Sequence, residues 1–226
     1  MPRPAPETRR SSLTPFYIIL GLVLLAGLGV LATQFIGKKS EGANQGVAVT
    51  LTPDQLQRVR GISRGEDNAP ITIYEFADFQ CPHCAEFAWQ LEPLIRDSLV
   101  NTGKARYVFY EMPLGFKWSF LSARSGRCAN EQGKFWEYHD ILFARQSEWA
   151  FDKDPAEKMA GYAQQAGLDA GKFEQCVRSD RYAREVSESY QLGQSLGVQG
   201  TPTIFVNGRK MDTPANYHDF ATQVQS

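Results

Sequence analysis

An α/β fold with a block of helices that is either an insert or a second small domain, preceded by one N-terminal transmembrane helix, is what this sequence predicts. Three observations carry that reading. An apolar, β-rich run from Ile71 to Phe79 leads through Cys81-Pro82-His83-Cys84 into a run with helical spacing: Phe87, Leu91, Leu94, Ile95 and Leu99. Near the other end, Thr203–Val206 is a short β-branched and aromatic stretch followed by Asn207-Gly208, a hairpin signal. Between them, from about residue 113 to 197, apolar residues recur at helical spacing.

The chain of 226 residues has room for one membrane element and one domain, and its formal net charge is −1. No basic block interrupts it, so nucleic acid is not a favoured partner. Residues 1–15 carry Arg3, Arg9 and Arg10 against Glu7. Residues 16–36 then form an apolar run of 21 residues without a charge. At about 1.5 Å per residue it spans roughly 30 Å, the thickness of a bilayer core. A cleaved signal peptide is the competing reading, but its apolar core is usually about 7–15 residues. The run is longer, and no clear small-residue cleavage site follows, so it reads as an uncleaved signal anchor. Residues 37–64 read as a linker with a short helix, opened by Thr52 as N-cap and Pro53 in the first position. Gly61 to Pro70 reads as a loop.

The folded domain is placed at residues 65–226. Ile71–Asp78 is a strand, Pro82–Leu99 a helix kinked by Pro93, and Ala105–Tyr110 a second strand. A strand, helix and strand in this order make a right-handed crossover between parallel strands. After the helical block, Thr203–Val206 turns through Asn207-Gly208 into Arg209–Met211, and Thr213-Pro214 opens a closing helix with Tyr217, Phe220 and Val224 on its apolar face.

The chemistry concentrates at Cys81-Pro82-His83-Cys84. The first N–H groups of a helix are unpaired and carry the positive end of its dipole, so a thiolate at Cys81 is stabilised there. Pro82 suits the first turn, because its φ is preset and its missing N–H costs nothing. Cys84 lies one turn on, on the same face, where the two sulfurs can close a disulfide ring. His83 adds positive charge or a hydrogen bond for the thiolate. Zinc would need two further ligands, and no second C-x-x-C or H-x-x-x-H exists in the chain, so no metal is expected. An inert structural disulfide is the other bland reading. C-x-x-C after a strand reads first as a redox motif. Glu75 sits in mid-strand, six residues before Cys81; it either turns to solvent or lies buried beneath the cysteines, where burial would raise its pKa. Asp78 reads as a capping or surface residue.

Glu75-Phe-Ala-Asp-Phe-Gln-Cys-Pro-His-Cys84 resembles the active-site segment of DsbA-like thiol:disulfide oxidoreductases, and Gly200-Thr-Pro-Thr-Ile-Phe-Val-Asn-Gly208 resembles the segment of that superfamily that carries a cis-proline beside the active site. The resemblance runs from about Gly65 to the C-terminus. It implies a thioredoxin-like fold with the helical block inserted at about 113–197. It implies that Cys81 and Cys84 are the redox pair, that Glu75 accepts the proton of the second cysteine, and that Pro202 is cis. Thr201 would then present its backbone to an extended substrate peptide. It further implies unfolded secreted substrates with free thiols and a DsbB-like, quinone-linked membrane protein as reoxidant. No flavin, nucleotide or metal motif is visible, so no cofactor is expected. Threonine before that proline departs from the best-known DsbA proteins, which have valine, and is similar to some isomerase-type relatives. Disulfide oxidase, reductase or isomerase, and non-catalytic binder of unfolded chains are therefore the three functions to separate. Disulfide chemistry belongs in an oxidising compartment, which places the N-terminus in the cytoplasm and the domain on the extracytoplasmic, periplasmic side of the cell membrane.

In the helical block, Phe135, His139 and Leu142 form one stripe, Met159, Tyr162, Ala163 and Ala166 a second, and Tyr182, Val186, Tyr190 and Leu196 a third. Such stripes are core, and His139 reads as a packed helix residue. Cys128 and Cys176 fall on separate helices. They are either two buried thiols or, given the even cysteine count outside the cytoplasm, a structural disulfide. An electron relay through them lacks a C-x-x-C partner.

Overall fold

The computed structural model describes residues 16–21, 59–212, 214 and 216–225. Residues 16–21 are helical. The rest of the expected anchor and the helix start at Thr52-Pro53 lie outside the described residues. Among the described residues no helix is long and apolar enough to cross a membrane.

The second unit, Val47–Ser226, is built on a five-stranded sheet. Its strands are β1 (Ile62–Arg64), β2 (Ile71–Ala77), β3 (Ala105–Glu111), β4 (Thr203–Val206) and β5 (Arg209–Lys210), in the order β1-β3-β2-β4-β5. β2 and β3 run parallel, as the crossover requires, and the other pairs are antiparallel. The strand β1 falls within the stretch read as a loop. It pairs with β3 through Ile62 opposite Phe109, so the sheet begins before residue 65. Gly61 allows that approach: a Cβ there would lie 2.4 Å from Val108 Cγ1.

β2 is central and buried on both faces, which is why it lacks a polar alternation. Phe76 packs with Tyr110, Leu192, Leu196 and Phe205 on one face. Ile73 packs on the other with Phe87, Leu91, Ile95, Tyr107 and Phe220. Helix α1 (Pro82–Gln90) ends at Leu91, and α2 (Glu92–Ile95) continues into a π-helical turn, Arg96–Val100. The continuous kinked helix expected over 82–99 is thus three segments. The break falls just before Pro93, which has no N–H for the helical ladder.

The insertion supplies α3 (Ser119–Glu131), α4 (Phe135–Ala144), α5 (Gln146–Trp149), α6 (Ala156–Gln165), α7 (Ala170–Arg178) and α8 (Ala183–Ser195). Its stripes pack as core: Phe135, Leu142, Met159, Tyr162 and Ala163 join Phe79, Cys81 and Cys84 in one cluster. Cys128 on α3 and Cys176 on α7 are joined by a disulfide with Cα atoms 5.8 Å apart. Asn207 at φ 49° and Gly208 at φ 83° make the tight β4–β5 turn. The closing helix α9 spans Tyr217–Gln225.

Candidate active site

Cys81 is the N-cap of α1, with extended backbone (φ −76°, ψ 123°) and Pro82 behind it in the first turn. Its N–H is held by the Asp78 carbonyl at 3.0 Å, and its own carbonyl accepts from the N–H groups of Cys84 (3.1 Å) and Ala85 (3.2 Å). The turn is pinned from outside as well. Gln146 Nε2 donates to the carbonyls of Phe79 (2.7 Å) and Cys81 (2.9 Å). Gln80 accepts from Trp118 N and donates to Ala150 O, both at 2.6 Å. Asp78, expected as a capping or surface residue, is buried. It accepts from Gln80 N, Leu114 N and the Ser119 hydroxyl, tying the segment before the cysteines to the start of the insertion.

The two thiols are unequal. Cys81 is 5% exposed and Cys84 fully buried. The Cys84 thiol donates toward the Cys81 sulfur, which is the largest influence on it. That donation outweighs burial, and with the Thr201 side chain and the main-chain N–H groups of Cys84 and His83 it brings the Cys81 pKa down to about 5. Cys84 is held well above the ordinary thiol range, first by burial and then by the neighbouring Cys81 and Glu75.

The loop before β4 faces the pair. Thr201-Pro202 is a cis peptide, and the Thr201 carbonyl oxygen lies 3.4 Å from Cys81 Sγ. A groove of about 550 Å³ runs beside it, lined by Phe87, Leu91, Leu94, Thr201, Pro202 and Tyr217 among others.

His83 differs from expectation. Its side chain is 81% exposed and its Nδ1 lies 3.8 Å from Glu86 Oε2. What it offers Cys81 is its main-chain N–H. Glu75, for which sequence left two readings, is 1% exposed and accepts from the Tyr107 hydroxyl at 2.7 Å. Burial, and then the charge of Glu92, raise its pKa to about 8, with His139, Tyr107 and Arg64 offsetting only part. Its charge disfavours a thiolate on Cys84, so the two groups are electrostatically linked.

Sequence reasoning missed Glu92 and the role of His139 at this site. Glu92 is 2% exposed and paired with the Arg64 guanidinium, which itself stacks 4.1 Å above the Trp136 ring. The signal was present: Glu92 falls on the buried stripe of Phe87, Leu91, Ile95 and Leu99, one turn before Ile95. The acceptor atoms of Glu75, Glu92 and His139 converge within 4.8 Å. Arg64 already balances the charge of Glu92, and Glu75 is neutral below about pH 8, so the cluster offers a divalent cation little net charge.

Paired thiols at a helix N-terminus, one acidic and one held protonated, beside a cis Thr-Pro loop on a parallel-cored sheet, define a thiol–disulfide redox protein. The chain belongs to the thioredoxin family, whose model, described as Thioredoxin, matches residues 57–226. It is 26% identical over 195 residues to a probable disulfide bond formation protein D of Bacillus cereus, covering 84% of this chain and 86% of that one. It is also 35% identical over 187 residues to the Na(+)/H(+) antiporter NhaA 3 of Salinispora tropica; the match takes 82% of this chain but spans only 27% of the antiporter. The crystal structure of oxidised BdbD from Bacillus subtilis superposes with a TM-score of 0.70 at 22% identity, over 79% of this chain and 96% of that one.

Proposed function

We propose that this protein is an extracytoplasmic disulfide oxidase, held at the cell membrane by residues 16–36, that introduces disulfides into secreted proteins through Cys81 and Cys84. The observation that carries the direction is the Cys81 pKa of about 5. A thiolate that stable is a good leaving group and favours the reduced enzyme, so the disulfide is readily given away. A substrate thiolate attacks Cys81 Sγ, the Cys81–Cys84 bond breaks, and Cys84 leaves and takes up a proton. A second substrate thiolate then attacks the mixed disulfide, closes the substrate's own disulfide and expels Cys81 as thiolate. Two electrons pass from substrate to enzyme. A DsbB-like, quinone-linked membrane protein is the proposed acceptor for them. The groove beside Thr201-Pro202 supports an extended, apolar stretch of an unfolded chain as substrate. The charge-free run 16–36 supports the anchor.

A second reading, reductase or isomerase, draws on Thr201, whose buried hydroxyl makes no hydrogen bond in the structure. Equilibration with glutathione separates the two. An oxidase gives a potential well above thioredoxin's roughly −270 mV, towards the about −120 mV of DsbA. A value at the thioredoxin end overturns the oxidase reading. If Cys81→Ser still supports maturation of a disulfide-containing secreted protein, the function is binding rather than catalysis.

A further inference from the structure

The carboxyl of Glu75, whose charge acts on Cys84, is walled in. Tyr107 from β3 covers one oxygen. Its other oxygen, Oε1, has no hydrogen-bond partner, and neither has Glu92 Oε2 or His139 Nε2, all three buried. An unsatisfied buried polar atom is costly, so three facing one another call for a reason. Their positions supply one. The atoms lie within 4.8 Å of one another, and Glu92 Oε2 stands 3.6 Å from His139 Nε2. On the far side of the imidazole, Nδ1 is 2.8 Å from Asp140 Oδ1, and the Asp140 side chain is 51% exposed. Phe79, Phe109, Phe135, Trp136 and Phe143 ring the imidazole and keep water off it. That buried acid thus connects to solvent through two carboxyls and the two nitrogens of one histidine.

We propose that Glu92, His139 and Asp140 form the outlet by which the proton leaving Cys84 reaches solvent. The proposal rests on the reading of Cys84 as the buried partner thiol and Glu75 as its base. Glu75, neutral below about pH 8, first gives its own proton to the outlet, and the carboxylate left behind takes the S–H proton as Cys84 attacks a mixed disulfide at Cys81. Glu75 hands a proton to Glu92, Glu92 to His139 Nε2, and the imidazolium so formed releases the proton at Nδ1 to Asp140 and water. One proton enters and one leaves; only X–H bonds are made and broken, and no electrons move. The surrounding charges fit a proton in transit. Arg64 from β1 holds the other oxygen of Glu92 in place, and Arg96 stands 3.4 Å from Asp140. Burial alone would lower the His139 pKa, but Glu92, Asp140 and Glu75 more than reverse that, so the imidazolium is a stable stopping point. In the other direction the same path delivers the proton that Cys84 needs as a leaving group.

The test is a stopped-flow reaction of the reduced full chain with glutathione disulfide, which separates mixed-disulfide formation at Cys81 from closure by Cys84. In His139→Gln, closure is expected to slow about tenfold or more, below the ~10²-fold or greater effect of losing a direct general base. Asp140→Asn is expected to slow it less, and in both variants formation of the mixed disulfide keeps its rate. The slowed closure should recover as imidazole buffer is raised, a rescue that a packing defect would not show. If closure stays within about twofold of the parent in both variants, or the loss ignores buffer, the outlet is overturned. Asp140 is at the surface, so its variant decides the matter even where His139→Gln fails to fold. A divalent cation found at one per chain in the purified protein would also overturn it, since the ion would sit on the atoms that the proton must cross. A wrong direction of catalysis would appear in the glutathione potential and leave these rate ratios untouched, so the two failures are distinguishable.

Discussion

A thiolate at Cys81 draws on a neighbouring thiol, a side-chain hydroxyl and main-chain N–H groups, and only the hydroxyl can be removed without disturbing the turn. Thr201→Val keeps the shape and deletes the donor. A hydrogen bond to a charged group is worth roughly 1.5 kcal/mol or more. Its loss should raise the Cys81 pKa by about one unit and make the pair about 30 mV less oxidising, read by thiolate absorbance and glutathione equilibration. The imidazole of His83 reaches toward Glu86 instead, so His83→Ala should move the same titration less than Thr201→Val does. A larger shift in the His83 variant would mean that the side chain turns to the sulfur once it ionises. Glu75 predicts a pH effect of its own. Its folded pKa of about 8 lies above the ordinary 4.5, so ionising it costs stability. That cost is absent below about pH 4.5, grows as pH rises and is complete only above about pH 8. In the oxidised protein, where no active-site thiol titrates, Glu75→Gln should match the parent in acid. At pH 9 it should be more stable, by up to roughly 5 kcal/mol. Equal denaturant midpoints at both pH values would count against a buried ionisable Glu75.

At the scale of elements, what could be read in advance follows from how local each signal is. β2, the start of α1 and the Asn207-Gly208 turn announce themselves through adjacent residues: an apolar run, Pro82 after the N-cap, two positive-φ positions. β1 does not. Three residues, Ile62-Ser63-Arg64, become a strand only because β3 lies alongside, and that pairing joins positions more than forty residues apart. The single helix expected over 82–99 failed for a local reason, the missing N–H of Pro93, whose consequence was read as a bend rather than a break. Glu92 and His139 were hidden differently. Each occupies one place on an otherwise apolar stripe, and a stripe says which face is buried, not that two charged faces meet. The insertion is tied by the Cys128–Cys176 bond, which closes a 48-residue separation between α3 and α7. On the chain-entropy view such a loop is worth about 4 kcal/mol. The double variant Cys128→Ala, Cys176→Ala should lose stability up to that amount in denaturant unfolding while its rate with glutathione disulfide holds. A parallel loss of rate would instead make this bond part of an electron relay.

Taken as one molecule, the protein couples its folding to its redox state, and the coupling has a sign. In the reduced enzyme the Cys81 pKa is about 5, against an ordinary 9.0 in an unfolded chain. A depressed pKa contributes stability that is fully present above about pH 9 and is lost as pH falls through about 5. The oxidised enzyme has no such thiolate. Its four-residue disulfide ring restrains the unfolded chain by an amount that does not depend on pH. The difference in unfolding free energy between reduced and oxidised protein should therefore climb in favour of the reduced form by about 1.4 kcal/mol for each pH unit between 5 and 9. Groups common to both forms, Asp78 and His139 among them, cancel in that difference. Glu75 cancels as well in that window, because its charge acts on Cys84, which stays protonated there. Around a thermodynamic cycle the same energy is oxidising power relative to the unfolded dithiol, on the order of 100 mV in all. Paired denaturant titrations of the two redox forms at pH 5, 7 and 9 measure it without any substrate. A difference that stays level across that range would mean that the folded domain does not stabilise the Cys81 thiolate, and the chemical basis for an oxidase would go with it.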